Sequence, residues 1–224
     1  MRTGGMCSRW AEPFVRSLLC WLLSAAAGPA VAAAVPYLTI EAVPQASAAS
    51  SLDERRWSIY LDGPIDSDAA ARLDRLIVQE RIAQATVYLN SPGGSLLAAM
   101  AIGHVLRAHG FHTEVGTKTA DSRPMAGGVC YSACPIAYAG GVWRNLEGRA
   151  VLGVHRATNR VPVPDAYAFD EVVSRQLTEY LTEMGVSADL ARLMATVPAD
   201  EIRLLTAEEA VRLRLVNRAS AAVE

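Results

Sequence analysis

Lysine is almost missing from this chain: of 21 basic residues only Lys118 is not an arginine. That skew reflects codon usage and carries no functional weight. An excess of positive charge is missing too, because 23 acidic residues leave a formal net charge of −2. A nucleic-acid partner, which calls for a basic stripe, is therefore excluded. Internal repeats are absent, which removes repeat architectures. Beyond residue 35 no apolar run is long enough to span a membrane. What is present is 224 residues, half of them hydrophobic and a fifth charged. That is the make-up of one well-buried globular domain.

The first 34 residues stand apart. Arg2, Arg9 and Arg16 precede an apolar and small-residue run from Ser17 to Val35, which ends in alanine-rich sequence with several A-x-A sites. This is the pattern of a cleaved secretory signal peptide, residues 1–34, with cleavage near Ala34. It implies a periplasmic or secreted protein. The rival reading is an N-terminal membrane anchor close to the bilayer; it is the weaker one because the strongly apolar part, Leu18 to Leu23, is short. Leu19 before Cys20 argues against lipid attachment. Of four cysteines, Cys7 and Cys20 fall in the leader and Cys130 and Cys134 remain. In an oxidising compartment this C-x3-C pair suits a disulfide; two packed thiols suit it as well.

Residues 35–56 are rich in Ala, Ser and Pro, show no period, and read as a flexible segment before a domain over 57–224. Trp57, Ile59 and Leu61 alternate with polar residues and predict a strand over 57–62. A helix over 68–83 follows, with Asp66 or Ser67 as its cap. Residues 85–90 predict a buried strand, Ser91-Pro92-Gly93-Gly94 a sharp turn, and Leu97 to Val105 a helix stopped by Gly110. Residues 111–116 read as a strand, 117–130 as loop, 131–139 as a short helix and 150–155 as a strand. The long helix over 166–184 ends at Gly185. Ser187 caps a shorter one, and Thr206 with Glu209 forms a capping box for the last. Strands alternating with helices indicate an α/β fold.

Three segments carry chemistry. The Gly93-Gly94 turn leaves backbone N–H groups open at a helix start, where a negative oxygen is held well; as a plain turn it needs no such role. Ser132 follows the Gly127-Gly128 loop among small residues, a place for a nucleophile or an ordinary cap. His155 ends an apolar strand and serves as a general base or as a structural histidine.

Taken in order, these segments resemble the Clp protease proteolytic subunit family. The N-S-P-G-G turn at Asn90 to Gly94 follows a strand and opens a helix. Ser132 lies about 40 residues on, and His155 closes a strand some 25 residues later. A long helix and the segment Leu205-Thr206-Ala207-Glu208-Glu209-Ala210-Val211, before Leu215-Val216, complete the match over about 57–217. The resemblance implies a ClpP/crotonase-like spiral of β-β-α units. It also implies a homo-oligomer, a peptide or protein substrate, and no metal or other cofactor. Ser132 takes the role of nucleophile and His155 of base, with the oxyanion held by Gly93, Gly94 and Ala133. The family's aspartate is replaced by Ile202, leaving Asp200 or Glu201 as the expected partners of His155. A leader peptide excludes the family's usual cytosolic ATPase partner. Three other readings stand beside the exported serine peptidase: a serine–lysine dyad with Lys118, an inactive Clp-like scaffold acting as a binding or assembly module in the cell envelope, and acyl-CoA chemistry, which the extracytoplasmic setting disfavours.

Overall fold

The computed structural model describes residues 37–45, 55–158 and 166–218. The expected leader lies outside them. Strand β1 (Thr39–Pro44) opens the fold and pairs antiparallel with β2 (Arg56–Asp62) along its whole length. The expectation that residues 35–56 form only a flexible segment is corrected here. β1 lacks a clear period because it is an edge strand with half-exposed residues on both faces. Its start is anchored by Asp66, whose carboxylate accepts the Leu38 N–H and pairs with Arg72. Burial alone would raise the pKa of Asp66; the N–H groups of Leu38 and Asp68, together with Arg72, outweigh it and hold the carboxyl below its usual value.

From β2 the chain alternates. α1 (Ala69–Glu80) leads to β3 (Gln84–Asn90), α2 (Leu96–Ala108) and β4 (His112–Lys118). β2, β3 and β4 are parallel. The middle of β2 is buried on both faces, including Ser58 and Tyr60, so the alternation in its sequence is not an inside–outside code. Parallel strands covered on both sides read this way. The expected loop over 117–130 holds two short strands. β5 (Pro124–Ala126) returns antiparallel on β4, and β6 (Val129–Tyr131) begins a second sheet. α3 (Cys134–Ala139), β7 (Arg144–Asn145) and β8 (Val151–Val154) follow. The chain then forms α4 (Ala166–Glu183), α5 (Asp189–Thr196), β9 (Arg203–Leu204) and α6 (Ala207–Arg212). The second sheet has the order β6-β8-β9, with β6 and β8 parallel and β9 antiparallel to β8. The Thr206–Glu209 capping box is present on α6.

The helices meet tightly on fully buried α3. A Cβ on Gly140 would stand 2.3 Å from the Gly103 Cα, so the α2–α3 crossing admits no side chain there. Beneath this crossing lie two arginines without a carboxylate partner. Arg144, 2% exposed, donates to the carbonyls of Gly141, Met184, Arg214 and Leu215. Arg107 donates to those of Gly140, Gly141 and Met184. These carbonyls sit at or just beyond the C-terminal ends of α3, α4 and α6, where acceptors lack intrahelical partners and the helix dipole is negative. Burial, and then Arg107, pull the pKa of Arg144 down to about 10, which leaves it charged at neutral pH.

Candidate active site

Ser132 sits on an elbow. β6 ends at Tyr131, Ser132 takes φ +61°, and α3 begins at Cys134. The left-handed region costs a non-glycine residue about 1–2 kcal/mol, so its surroundings must impose it. The Ser132 N–H donates to Gly153 O on β8 at 2.9 Å, and the Tyr131 N–H to Ser91 O at 3.0 Å. A disulfide joins Cys130 to Cys134 with Cα atoms 5.1 Å apart. The segment between the cysteines is thus a strand-to-helix turn, whereas the sequence predicts helix from 131. A strained turn of this kind exposes the hydroxyl of a nucleophilic serine.

The Gly93-Gly94 turn lies directly against this elbow. A Cβ on Gly93 would stand 2.5 Å from Ser132 Cβ and 3.0 Å from Ala133 N. With φ +100° as well, Gly93 is required on both counts. Its own N–H is already used, donating to Ser91 Oγ at 3.1 Å. Of the expected oxyanion set, Gly93 thus has its amide engaged. Among the described residues neither the Gly94 N–H nor the Ala133 N–H has a hydrogen-bond acceptor, and Gly94 is exposed. These two amides are the available donors, and Gly93 contributes by its lack of a side chain.

Asn90 and Ser91, read from the sequence only as part of the turn motif, bind the turn to the elbow. Asn90 Oδ1 accepts the Val129 N–H at 3.0 Å while its Nδ2 donates to Asp62. The Ser91 N–H donates to Val129 O at 2.8 Å. The end of β3 therefore pairs with β6 across the two sheets, through the Ser91–Cys130 bridge. The only signal for this in the sequence is a polar pair ahead of Pro-Gly-Gly.

His155 follows β8 immediately. The parallel register pairs Tyr131 with Gly153, so Ser132 and His155 lie on neighbouring strand ends, offset by one residue. Neighbouring strands run about 4.8 Å apart. No hydrogen bond joins Ser132 Oγ to the imidazole, and His155 Nδ1 is buried without a partner. On the other side, β9 pairs Gly153 with Leu204 and Val154 with Arg203, where the ladder ends; the Arg156 N–H then donates to Val197 O at 3.1 Å. Ile202, just before β9, lies against the Gly153 face of β8, its Cγ2 2.6 Å from where a Gly153 Cβ would stand. Asp200 and Glu201 are exposed, and their carboxylates make no hydrogen bond among the described residues. Neither carboxylate is hydrogen-bonded to His155, whose Nδ1 has no partner among the described residues.

Lys118 is engaged elsewhere. It ends β4, ion-pairs with Glu41 of β1 and lies 6.0 Å from the centre of the Tyr60 ring. Among the described residues no group of three or more His, Cys, Asp or Glu is placed to hold a metal ion, and no helix is long and apolar enough to cross a membrane.

No protein-family model matches the chain, and no curated protein matches it in sequence. In structure it is similar to the 1510-N membrane-bound stomatin-specific protease, determined as a serine-to-alanine mutant. The TM-score is 0.51 at 16% identity, over 74% of this chain and 79% of that one. At this identity the likeness speaks for the fold alone. With the order of elements, the two sheets and the elbow between them, it makes the chain a mixed α/β protein of the ClpP-like protease fold.

Proposed function

We propose that this protein is an exported, ATPase-independent serine peptidase or related acyl hydrolase. The observation that carries the reading is the left-handed Ser132 elbow, wedged between the His155 strand and two unpaired amides. Ser132 Oγ attacks the acyl carbon as His155 Nε2 takes its proton. The carbonyl oxygen, now negative, is held by the N–H groups of Gly94 and Ala133, with the N-terminus of α2 adding to the positive field. His155 then returns the proton to the leaving amine, and water resolves the acyl-enzyme by the same steps. With no carboxylate bonded to it among the described residues, His155 works as half of a dyad, which sets a slow rate. Residues 1–34 act as the export signal, the substrate is a peptide or an exposed protein segment, and copies of the chain assemble into a homo-oligomer. The protease activity named for the structural neighbour favours the same reaction class.

A fluorophosphonate probe tests this. Covalent labelling located at Ser132 by peptide mass spectrometry, and lost in Ser132→Ala and His155→Ala, is the expected result. A folded protein that stays inert favours the second reading, a non-catalytic envelope scaffold, for which the unpartnered His155 Nδ1 speaks.

A further inference from the structure

We infer that the Cys130–Cys134 disulfide is the device that holds Ser132 in its working conformation, so that the site is competent only after oxidation; this rests on the peptidase reading. The bridge is placed for that task. Cys130 is the middle residue of β6 and Cys134 the first of α3, so the bond straddles the elbow with Ser132 midway. Only three residues lie inside the closed loop. Such a loop adds little chain entropy compared with a long one, so its effect is local.

Hydrogen bonds hold the strand side of the elbow through Tyr131 and Ser132 and its helix side through Ala133 O, but among the described residues only the disulfide closes across Ser132 from one side to the other. Ser132 stands in a backbone region that serine avoids, and the hydrogen bond from its N–H to Gly153 fixes only one side of it. The Ala133 N–H, which must face the oxyanion, is held by no hydrogen bond among the described residues. With the bridge open, Ser132 is free to relax toward the right-handed region. That moves both the hydroxyl and the Ala133 N–H away from Gly94. Gly93 lies close enough that even an added Cβ would meet Ser132 Cβ at 2.5 Å, so a shift of Ser132 alters its place beside the turn.

Closing the bridge takes two protons and two electrons from the paired thiols. A disulfide-bearing oxidant accepts them and departs as two thiols, by thiol–disulfide exchange. Both cysteines are completely buried in the fold. The exchange therefore takes place while the chain is still folding, and the packed α3 afterwards shields the bond from reductants. The result is a switch set once: a chain that folds in a reducing compartment keeps a loose elbow, and one that folds in an oxidising compartment gains a working serine.

The test uses the full chain refolded from denaturant, either with a glutathione redox pair or with dithiothreitol. Alkylation and mass spectrometry count the free thiols; far-UV circular dichroism follows the fold. The two readouts are the fluorophosphonate labelling rate and hydrogen exchange at the Tyr131 and Ser132 amides. Both forms are expected to fold alike, the reduced form labelling at least ~10-fold more slowly and exchanging faster at those amides. A Cys130→Ala/Cys134→Ala variant should behave as the reduced form. Equal labelling and exchange in the two forms overturn the inference and leave the peptidase reading intact. Loss of the circular dichroism signal on reduction also overturns it, making the bridge a staple of the whole fold. An unlabelled oxidised form that still shows the exchange difference ends the peptidase reading, and leaves the bridge's hold on the elbow standing.

Discussion

Replacing Ile202 with aspartate puts a carboxylate one residue past the Val154–Arg203 pair, on the Gly153 face of the strand that leads into His155. Opposed residues in such ladders have Cβ atoms about 4.5–5.5 Å apart, and we propose that from there Asp Oδ reaches His155 Nδ1. The acceptor is wanted there, since Nδ1 is buried and unpaired. A hydrogen bond to a charged group is worth about 1.5–3 kcal/mol, which corresponds to roughly 10- to 100-fold in rate if it is fully expressed as the imidazolium forms. The substitution also removes an apolar side chain. Ile202 is already 42% exposed, so the stability lost is about 1 kcal/mol. The assay is the second-order rate of fluorophosphonate labelling at Ser132 across pH, with urea unfolding to follow stability. Ile202→Asp should label about 10- to 100-fold faster than the parent, Ile202→Asn should gain less because it lacks the charge, and Ile202→Leu should not change. A folded Ile202→Asp protein labelling at the parent rate refutes the reasoning, because it means that residue 202 does not reach Nδ1.

Gly93→Ala combines a disfavoured φ with contacts of 2.5 Å to Ser132 Cβ and 2.7 Å to Tyr131 O; it should cost about 2–4 kcal/mol in urea unfolding and abolish labelling. Arg144→Met leaves the Arg214 and Leu215 carbonyls without a donor, while those of Gly141 and Met184 keep Arg107; the loss is about 2–4 kcal/mol, read as a fall in Tm of roughly 5–15 °C. Glu114 on β4 has its pKa raised to about 7, by burial first and then by Glu147. The folded state thus binds a proton that the unfolded state releases, and stability should fall as pH rises from about 4.5 to about 7. Because the side chain is partly exposed, the effect is about 1–2 kcal/mol after screening. Glu114→Gln should flatten that slope and be the more stable protein at about pH 8; an unchanged slope in thermal melts from about pH 5 to 8 assigns the dependence to another group.

The order of elements, the Thr206–Glu209 capping box and the two glycines of the turn were legible in the sequence because each rests on local rules: hydrophobic period, capping chemistry and the left-handed backbone; the caps expected at Asp66 or Ser67 and at Ser187 were not, the helices starting at Asp68 and Ala188 without a side-chain cap. Ser132 and His155 were legible through spacing and resemblance, which bring them to one region without stating how they face one another. β1, β5 and β6 were not, because short or edge strands owe their existence to partners far along the chain: β1 to β2, and β6 to Ser91 and β8. The Arg107–Arg144 hub was hidden for the same reason, since backbone carbonyls leave no mark in composition. The Cys130–Cys134 spacing allowed a disulfide; the strand-to-helix elbow made it straddle Ser132 in place of a helical turn. What surrounds His155 was also a tertiary matter: counting along the sequence kept Asp200 and Glu201 in play, whereas the Val154–Arg203 pair set Ile202 against the Gly153 face of β8 and left both carboxylates exposed, because in an antiparallel ladder register decides which residues share a face.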